Sequence, residues 1–251
     1  MTITTPRPTT GLSVVLGHHL VAGLAVLLPW LLLLTALPRA GGPPVAFLLL
    51  VVGLVLPVVA TLLLRHRLRV EGLLTRRGPT PTDRARIRAR LGLVRPARGQ
   101  GLRLGLTALL AGMVLPVVGL PVEDVLRRLG WFSAWPSAGV PATGGTEHRA
   151  SLLVLWVLVA VLLGPVVEEV LFRGLLQPLL PGGLWGRVVG GSALFAAYHL
   201  WQPAAWVTVW AATLPLAWLR ERTGSTWPSV GVHVTVNALA LGLLLVGGLD
   251  R

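Results

Sequence analysis

The chain has 251 residues, of which 54% are hydrophobic and only 12% are charged, and its mean hydropathy is +0.76. Soluble domains carry about 25% charged residues, so this composition excludes an ordinary soluble fold and indicates one compact membrane domain. The absence of Cys excludes disulfides, thiolate metal sites and a Cys nucleophile, and the net charge of +13 comes from arginine.

Seven apolar segments follow a polar tail at residues 1–10. A helix needs about 20 apolar residues to cross the hydrocarbon core. We predict an all-α, multi-pass transmembrane bundle with crossings at 12–37, 44–64, 104–122, 151–179, 185–201, 204–220 and 228–248. The fifth and sixth segments are short, which predicts tilt or partial insertion.

Arginine is concentrated in one loop of the N-terminal region, residues 11–149. Twelve of the 22 arginines lie in the loop 65–103, between two apolar segments. This distribution follows the positive-inside rule and predicts a cytoplasmic loop, not a nucleic-acid site. Around residues 83–90 we expect a short surface helix that attracts anionic lipid headgroups. Alternation of the crossings places the turns 180–186 and 220–227 on the same side.

The fourth segment contains three ionisable residues in the sequence GPVVEEVLFRG. Such groups cost about 2.5–3.5 kcal/mol each at the bilayer centre, so they indicate a functional site. Glu169 and Arg173 are four residues apart, which predicts an ion pair on one helix face. Glu168 has no such local partner and must meet another helix or water, and Pro165 is expected to kink or restart the helix. The alternative is that the three charges form a packing network.

Two later segments add polar groups. His199 ends the sequence FAAYHL, and His233 and Asn237 share a helix face in HVTVN. Glu168 lies 15 residues before Gly183 and His199 lies 16 after it, so antiparallel helices would place both at one depth. The same count places His233 roughly 10 Å away in depth, which tilt or a re-entrant sixth segment would have to absorb.

This residue set permits two routes to peptide hydrolysis. In the first, Glu168 is the general base for a water that His199 orients, and His233 with Asn237 stabilises the oxyanion. In the second, His199, His233 and a glutamate such as Glu168 ligate Zn²⁺, which activates the water. The sequence has no HExxH motif, the usual signal of a zinc protease.

The motifs resemble those of the CPBP family, the CAAX-protease and bacteriocin-processing membrane proteins. The resemblance covers about residues 150–240, and we assign residues 150–248 to a CAAX-protease-like core. It is carried by Glu168-Glu169-x-x-x-Arg173, Phe195-x-x-x-His199 and His233-x-x-x-Asn237.

The resemblance implies an all-helical membrane fold with a polar intramembrane cavity. It implies that Glu168 and His199 are catalytic, that His233 and Asn237 bind the oxyanion, and that a second group of residues supports the site. That supporting group consists of Glu169, Arg173 and Phe195. The expected function is an intramembrane endopeptidase of the cell membrane, with a membrane-associated, prenylated or bacteriocin-like peptide as substrate.

Other functions stay open at this point. Buried carboxylates and histidines also form relays in ion-coupled transporters, although no internal repeat of the transporter type is visible. A non-catalytic scaffold or bacteriocin-immunity protein would keep the fold without the chemistry. A glutamate-dependent enzyme would require no cofactor, and the alternative enzyme would require zinc.

Overall fold

A computed structural model describes residues 8–36, 44–75, 79–130 and 146–247. Nearly all of these residues are helical and none of them is in a strand. The predicted all-α fold is therefore confirmed. Most of the predicted polar tail, and residues 131–145, lie outside the described residues.

The first two helices are long and apolar. Helix α1 spans Pro8–Ala36 and helix α2 spans Pro44–Val70, so α2 continues through the first arginines of the Arg-rich loop. The two helices pack together through a buried core that includes Trp30 and Leu56.

Helix α3, Pro81–Arg90, is the surface helix that the sequence predicts within the Arg-rich loop. It begins with a capping box, in which the Thr80 hydroxyl accepts from the Asp83 N–H and the Asp83 carboxylate accepts from the Thr80 N–H. The Thr80 hydroxyl also donates to the Asp83 carboxylate at 2.8 Å, and this bond together with the one from the Thr80 N–H holds the pKa of the Asp83 carboxyl below its ordinary value. None of the residues of α3 is buried.

The next helices lead to the fourth predicted crossing. Helix α4, Gln100–Val114, continues through the 3₁₀ turn Leu115–Val118 into α5, Leu120–Arg128. A second continuous helical stretch consists of α6, Thr146–Trp156, a π-helical segment, Val157–Leu163, and α7, Gly164–Glu169. It ends in a second π-helical segment and a 3₁₀ turn, which span Val170–Leu176 and Gln177–Leu179.

Three helices complete the described chain. Helix α8 spans Gly183–Tyr198, and a 3₁₀ turn, Pro203–Ala205, leads into α9, Trp206–Thr223. Helix α9 ends at Gly224, whose φ of 65° is the left-handed conformation that glycine adopts most readily. Helix α10, Trp227–Gly247, then packs against α4, α7 and α9.

Four helical stretches of the described residues are long and apolar enough to cross a membrane. They are Gly11–Leu32, Leu48–Val70, Gln100–Arg128 and Ala150–Leu179, and they match the first four predicted crossings. Helices α8, α9 and α10 have 16, 18 and 21 residues. The last three crossings, and the total of seven, stay predictions.

The Arg-rich loop is tied to the turn between α9 and α10. Ser225 Oγ donates to the Val94 carbonyl at 2.6 Å, and Thr226 Oγ1 donates to the Leu91 carbonyl at 2.7 Å. The start of α8 lies at the same end, because Arg187 at its first turns forms an ion pair of 2.8 Å with Glu221 at the end of α9. The loop and both turns therefore share one end of the bundle, as alternation of the crossings predicts.

Candidate active site

A cavity of about 270 Å³ lies between α2, the α6–α7 stretch, α8, α9 and α10. All four residues predicted to be catalytic line it, namely Glu168, His199, His233 and Asn237. The remaining wall is mostly apolar and includes Leu48, Val52, Trp156 and Trp201. The structure thus brings together, in one cavity, polar groups from three separate helical segments.

Behind the cavity wall lies a buried ion pair. Arg173 Nε is 3.3 Å from Glu169 Oε2, and both side chains are fully buried. This is the pair that the four-residue spacing predicts. Neither residue lines the cavity, so the pair supports the site from outside the space that a substrate could enter.

Glu169 also binds the histidine of α10, a contact that the sequence did not predict. His233 Nδ1 lies 3.0 Å from Glu169 Oε1. Because a carboxylate accepts, Nδ1 carries the hydrogen, and the Nε2 atom of His233 is left for the cavity. One carboxylate therefore joins α10 to Arg173 and sets the orientation of the His233 ring.

The predicted difference in depth does not keep His233 from the site. Ser229 Oγ donates to a carbonyl of α9. The Thr213 carbonyl, which accepts from Arg173, lies three residues earlier on α9, about 4.5 Å away along the helix. His233 is one turn after Ser229, and Glu169 is one turn before Arg173 on an antiparallel helix, so the two side chains meet. Counting residues from the turn gives the wrong depth, because it assumes that contacting residues lie equally far from the turn on α9 and α10. Ser229 lies five residues after the turn, but its α9 partner lies eight residues before the turn.

His199 is held at the end of α8. The helix ends at Tyr198, which leaves the Phe195 carbonyl without its usual helical donor. His199 Nδ1 lies 2.9 Å from this carbonyl and donates to it. The Nε2 atom of a neutral His199 is therefore the one with a lone pair, which can accept a hydrogen from water.

Phe195 is the aromatic centre of the site. Its ring lies under the Arg173 guanidinium, whose Cζ is 4.5 Å from the ring centroid. The same ring is 4.8 Å from the His199 ring and 5.7 Å from the His233 ring. Phe195 thus contacts the buried cation and lies between the two histidines, while its supporting role stays a prediction.

The carboxylate of Glu168 differs from that of its neighbour Glu169 in its contacts. Glu168 lines the cavity with 7% of its surface exposed, and no hydrogen bond or ion pair to its carboxylate occurs within the described residues. Adjacent residues of a helix point about 100° apart. This rotation is enough to place Glu169 in the ion pair and Glu168 in the cavity.

Asn237 closes a gap in the helical hydrogen bonding that Pro165 creates. Pro165 has no N–H to give to the Ala160 carbonyl, and the N–H of Gly164 donates to the Val159 carbonyl. Asn237 Nδ2 donates to the Ala160 carbonyl at 2.8 Å instead. Pro165 does not break the helix, but it leaves an acceptor that fixes α10 against the π-helical segment.

We expect Asn237→Leu to lower the free energy of unfolding by about 1–3 kcal/mol, because the Ala160 carbonyl would lose its donor. Pro165→Ala restores a backbone N–H close to this carbonyl. In the Pro165→Ala background, Asn237→Leu should therefore lower the free energy of unfolding by a smaller amount. The measurement is a double-mutant cycle of unfolding in detergent micelles. Equal costs in both backgrounds would contradict this account of the contact.

A partly buried polar network next to the ion pair was not predicted from the sequence. Gln177 Nε2 donates to Glu221 Oε1 at 3.0 Å, and Arg187 Nε donates to Glu221 Oε2 at 2.9 Å. A signal for it exists, since Gln177 is four residues after Arg173 on the same helix face. The network fastens α8 and α9 to the stretch that carries both glutamates.

The zinc-dependent alternative stays a prediction, and the described residues do not show a preformed metal site. Within them, no three His, Cys, Asp or Glu side chains form a group that could hold a metal ion. The cavity offers the Nε2 atoms of His199 and His233 together with Glu168, while both Nδ1 atoms are engaged elsewhere. We therefore derive no catalytic step through a metal.

The part of the chain that carries these polar groups is similar to a known family. Residues 150–239 match the family model described as Type II CAAX prenyl endopeptidase Rce1-like. This part of the chain is similar to an Rce1-like domain. The resemblance predicted from the sequence is therefore confirmed.

The Rce1-like match includes every residue that lines the cavity from the α6–α7 stretch, α8, α9 and α10, and it excludes the cavity wall formed by α2. The Rce1-like family is a protease family, which supports a peptidase activity for this chain. Four apolar helices and this family together indicate a membrane protein. The comparisons with curated proteins and with solved structures gave no match.

Proposed function

We propose that the chain is an intramembrane endopeptidase that hydrolyses a peptide bond with a water activated by Glu168. One observation carries this proposal. Of two adjacent buried glutamates, Glu169 is held in contacts with Arg173 and His233, whereas Glu168 faces the same cavity as His199 without a partner among the described residues.

The attack requires a base and an oriented water. The Nε2 lone pair of His199 accepts one hydrogen of the water, and the Glu168 carboxylate takes the other proton as the water oxygen bonds to the scissile carbonyl carbon. The C=O π electrons move to the oxygen and form the tetrahedral oxyanion. Glu168 then gives its proton to the amide nitrogen, the oxyanion electrons re-form the C=O bond, and the C–N bond breaks with its electron pair passing to the nitrogen.

The oxyanion requires donors. Asn237 Nδ2 has two hydrogens, of which one is donated to the Ala160 carbonyl, so the second is free to donate. His233 donates to the oxyanion from Nε2 when both of its ring nitrogens carry hydrogen, with Nδ1 donating to the Glu169 carboxylate. Each such donor contributes about 2.7–4 kcal/mol to stabilisation of a transition state.

The cavity walls suit a substrate that is itself in the membrane. Apolar side chains such as Leu48, Leu49 and Val52 of α2 line the same cavity as the polar groups. The proposed substrate is a membrane-associated, prenylated or bacteriocin-like peptide. The proposed location is the cell membrane, where the chain is multi-pass with the Arg-rich loop 65–103 in the cytoplasm, and nucleic acid is not a partner.

The substrate can be identified by comparing cells that express the native chain with cells that express Glu168→Gln. New peptide termini in membrane proteins, measured by terminal proteomics, should appear only with the native chain. Identical sets of termini in the two strains would count against a protease.

Chelation tests the metal-free mechanism. Because no step needs a metal, we expect prolonged dialysis against a strong zinc chelator to leave the cleavage rate unchanged. The measurement is cleavage of the identified substrate in proteoliposomes, with elemental analysis of the same protein sample. Loss of activity on chelation that added Zn²⁺ restores would replace this mechanism with the zinc-dependent one.

A further inference from the structure

A second cavity lies on the outer surface of the bundle, on the far side of α9 from the active site. This groove, which we name the α4–α8–α9 groove, has a volume of about 370 Å³ and is walled by those three helices. Its lining is almost entirely apolar and includes Ala111 and Leu115 on one side and Trp185 and Trp218 on the others.

Two arginines lie at one end of the groove. Arg103 is four residues before the lining residue Thr107 on α4, so both lie on the same helix face. Arg222 is four residues after the lining residue Trp218 on α9, and its Cζ lies 5.8 Å from a ring centroid of that Trp. Gln100 Nε2 donates to the Arg222 carbonyl at 3.1 Å, which joins this end of α9 to the start of α4.

Neither arginine is neutralised. Both are exposed, and within the described part of the chain neither lies within ion-pair distance of a carboxylate. The neighbouring Arg187 differs, because it pairs with Glu221 at 2.8 Å. The groove end therefore presents two free guanidinium groups, which suit a phosphate.

The length of the groove matches one leaflet. From Arg103 to Leu115, α4 rises about 18 Å, and half of the hydrocarbon core is about 15 Å. Trp185 lies at the same end as the arginines and is 64% exposed, as expected of a Trp at the membrane interface. An acyl chain that starts at the arginines would therefore reach the other end of the groove near the bilayer centre.

We propose that the α4–α8–α9 groove binds one anionic phospholipid of the leaflet on the side of the Arg-rich loop. The phosphate is held between Arg103 and Arg222, and one acyl chain lies against Ala111 and Leu115. The site is independent of the catalytic proposal, because none of these residues lines the active-site cavity.

Native mass spectrometry of the full chain in detergent tests this site, with phosphatidylglycerol and phosphatidylcholine as probes. We expect one phosphatidylglycerol to bind more tightly than phosphatidylcholine. Arg103→Gln with Arg222→Gln should weaken phosphatidylglycerol about 30-fold, since each basic residue contributes about a factor of five. Ala111→Trp should also reduce binding, because it fills the groove and leaves the arginines in place.

The matched control is Arg65→Gln with Arg69→Gln, which removes the same charge from exposed positions at the end of α2, away from the groove. This pair should leave the first bound phosphatidylglycerol unchanged. Millimolar inorganic phosphate should not displace the lipid, because it has no acyl chain. Equal binding of the two lipids, an equal loss in the control pair, or displacement by phosphate would each overturn the proposal.

Discussion

Glu168→Gln should lower the rate of peptide cleavage by about 10²–10⁴-fold, the contribution typical of a general base. Glutamine has nearly the same volume as glutamate but cannot take the proton of the attacking water. Stability should change little, because the Glu168 carboxylate has no ion pair among the described residues and lines the cavity. The measurement is cleavage in proteoliposomes together with thermal unfolding in micelles.

The result for Glu168→Gln distinguishes between the candidate functions. Full cleavage activity in Glu168→Gln would contradict the proposed mechanism. A biological function that survives in Glu168→Gln, His199→Ala and His233→Ala would instead favour a non-catalytic scaffold or immunity protein. Ion flux into proteoliposomes that depends on Glu168 would favour a transporter.

Unlike Glu168→Gln, Glu169→Gln should clearly lower the free energy of unfolding. It removes the charge that neutralises Arg173, and breaking a buried ion pair at one partner costs about 3–5 kcal/mol. The Thr213 carbonyl at 3.4 Å and the Phe195 ring at 4.5 Å cannot replace a carboxylate. The measurement is the unfolding free energy of the purified chain in detergent micelles.

The control for this prediction removes both charges. Glu169→Gln with Arg173→Met leaves no unpaired buried charge, so much of the lost stability should return. Cleavage should not return fully, because His233 would still lack its carboxylate partner. If Glu169→Gln is as stable as the native chain, or if the double variant is no more stable than Glu169→Gln, the ion pair does not have this structural role.

The two predictions compare neighbouring residues of the same type. Glu168→Gln should affect activity with little effect on stability, and Glu169→Gln should affect stability first. A general loss of packing would reduce both properties in both variants. The contrast therefore tests the assignment of the two carboxylates directly.

Features that depend on nearby residues could be predicted from the sequence. The ion pair of Glu169 with Arg173 follows from their spacing, because residues four apart face each other on any helix. The first four spans follow from length and apolarity, which decide whether a segment can cross the hydrocarbon core. Helix α3 follows from its polar composition and its capping residues.

Contacts between distant helices could not be predicted in this way. The bond of His233 to Glu169 depends on how far α10 enters the bundle beside α9, and counting residues from the turn gives the wrong depth. The contact of Asn237 with the Ala160 carbonyl depends on the π-helical segment, which changes the register of the backbone hydrogen bonds. The α4–α8–α9 groove likewise exists only where three helices meet.

The sequence by itself determined a membrane-embedded helical chain and the polar residues that its bilayer segments must accommodate, because the cost of burying charge in an apolar medium depends on residue type alone. Only the tertiary structure decided how these residues divide. Packing of α10 against α7 holds Glu169 between Arg173 and His233, and it leaves Glu168 facing a cavity with His199. Helix rotation and depth are set by packing between helices, and no local pattern contains that information.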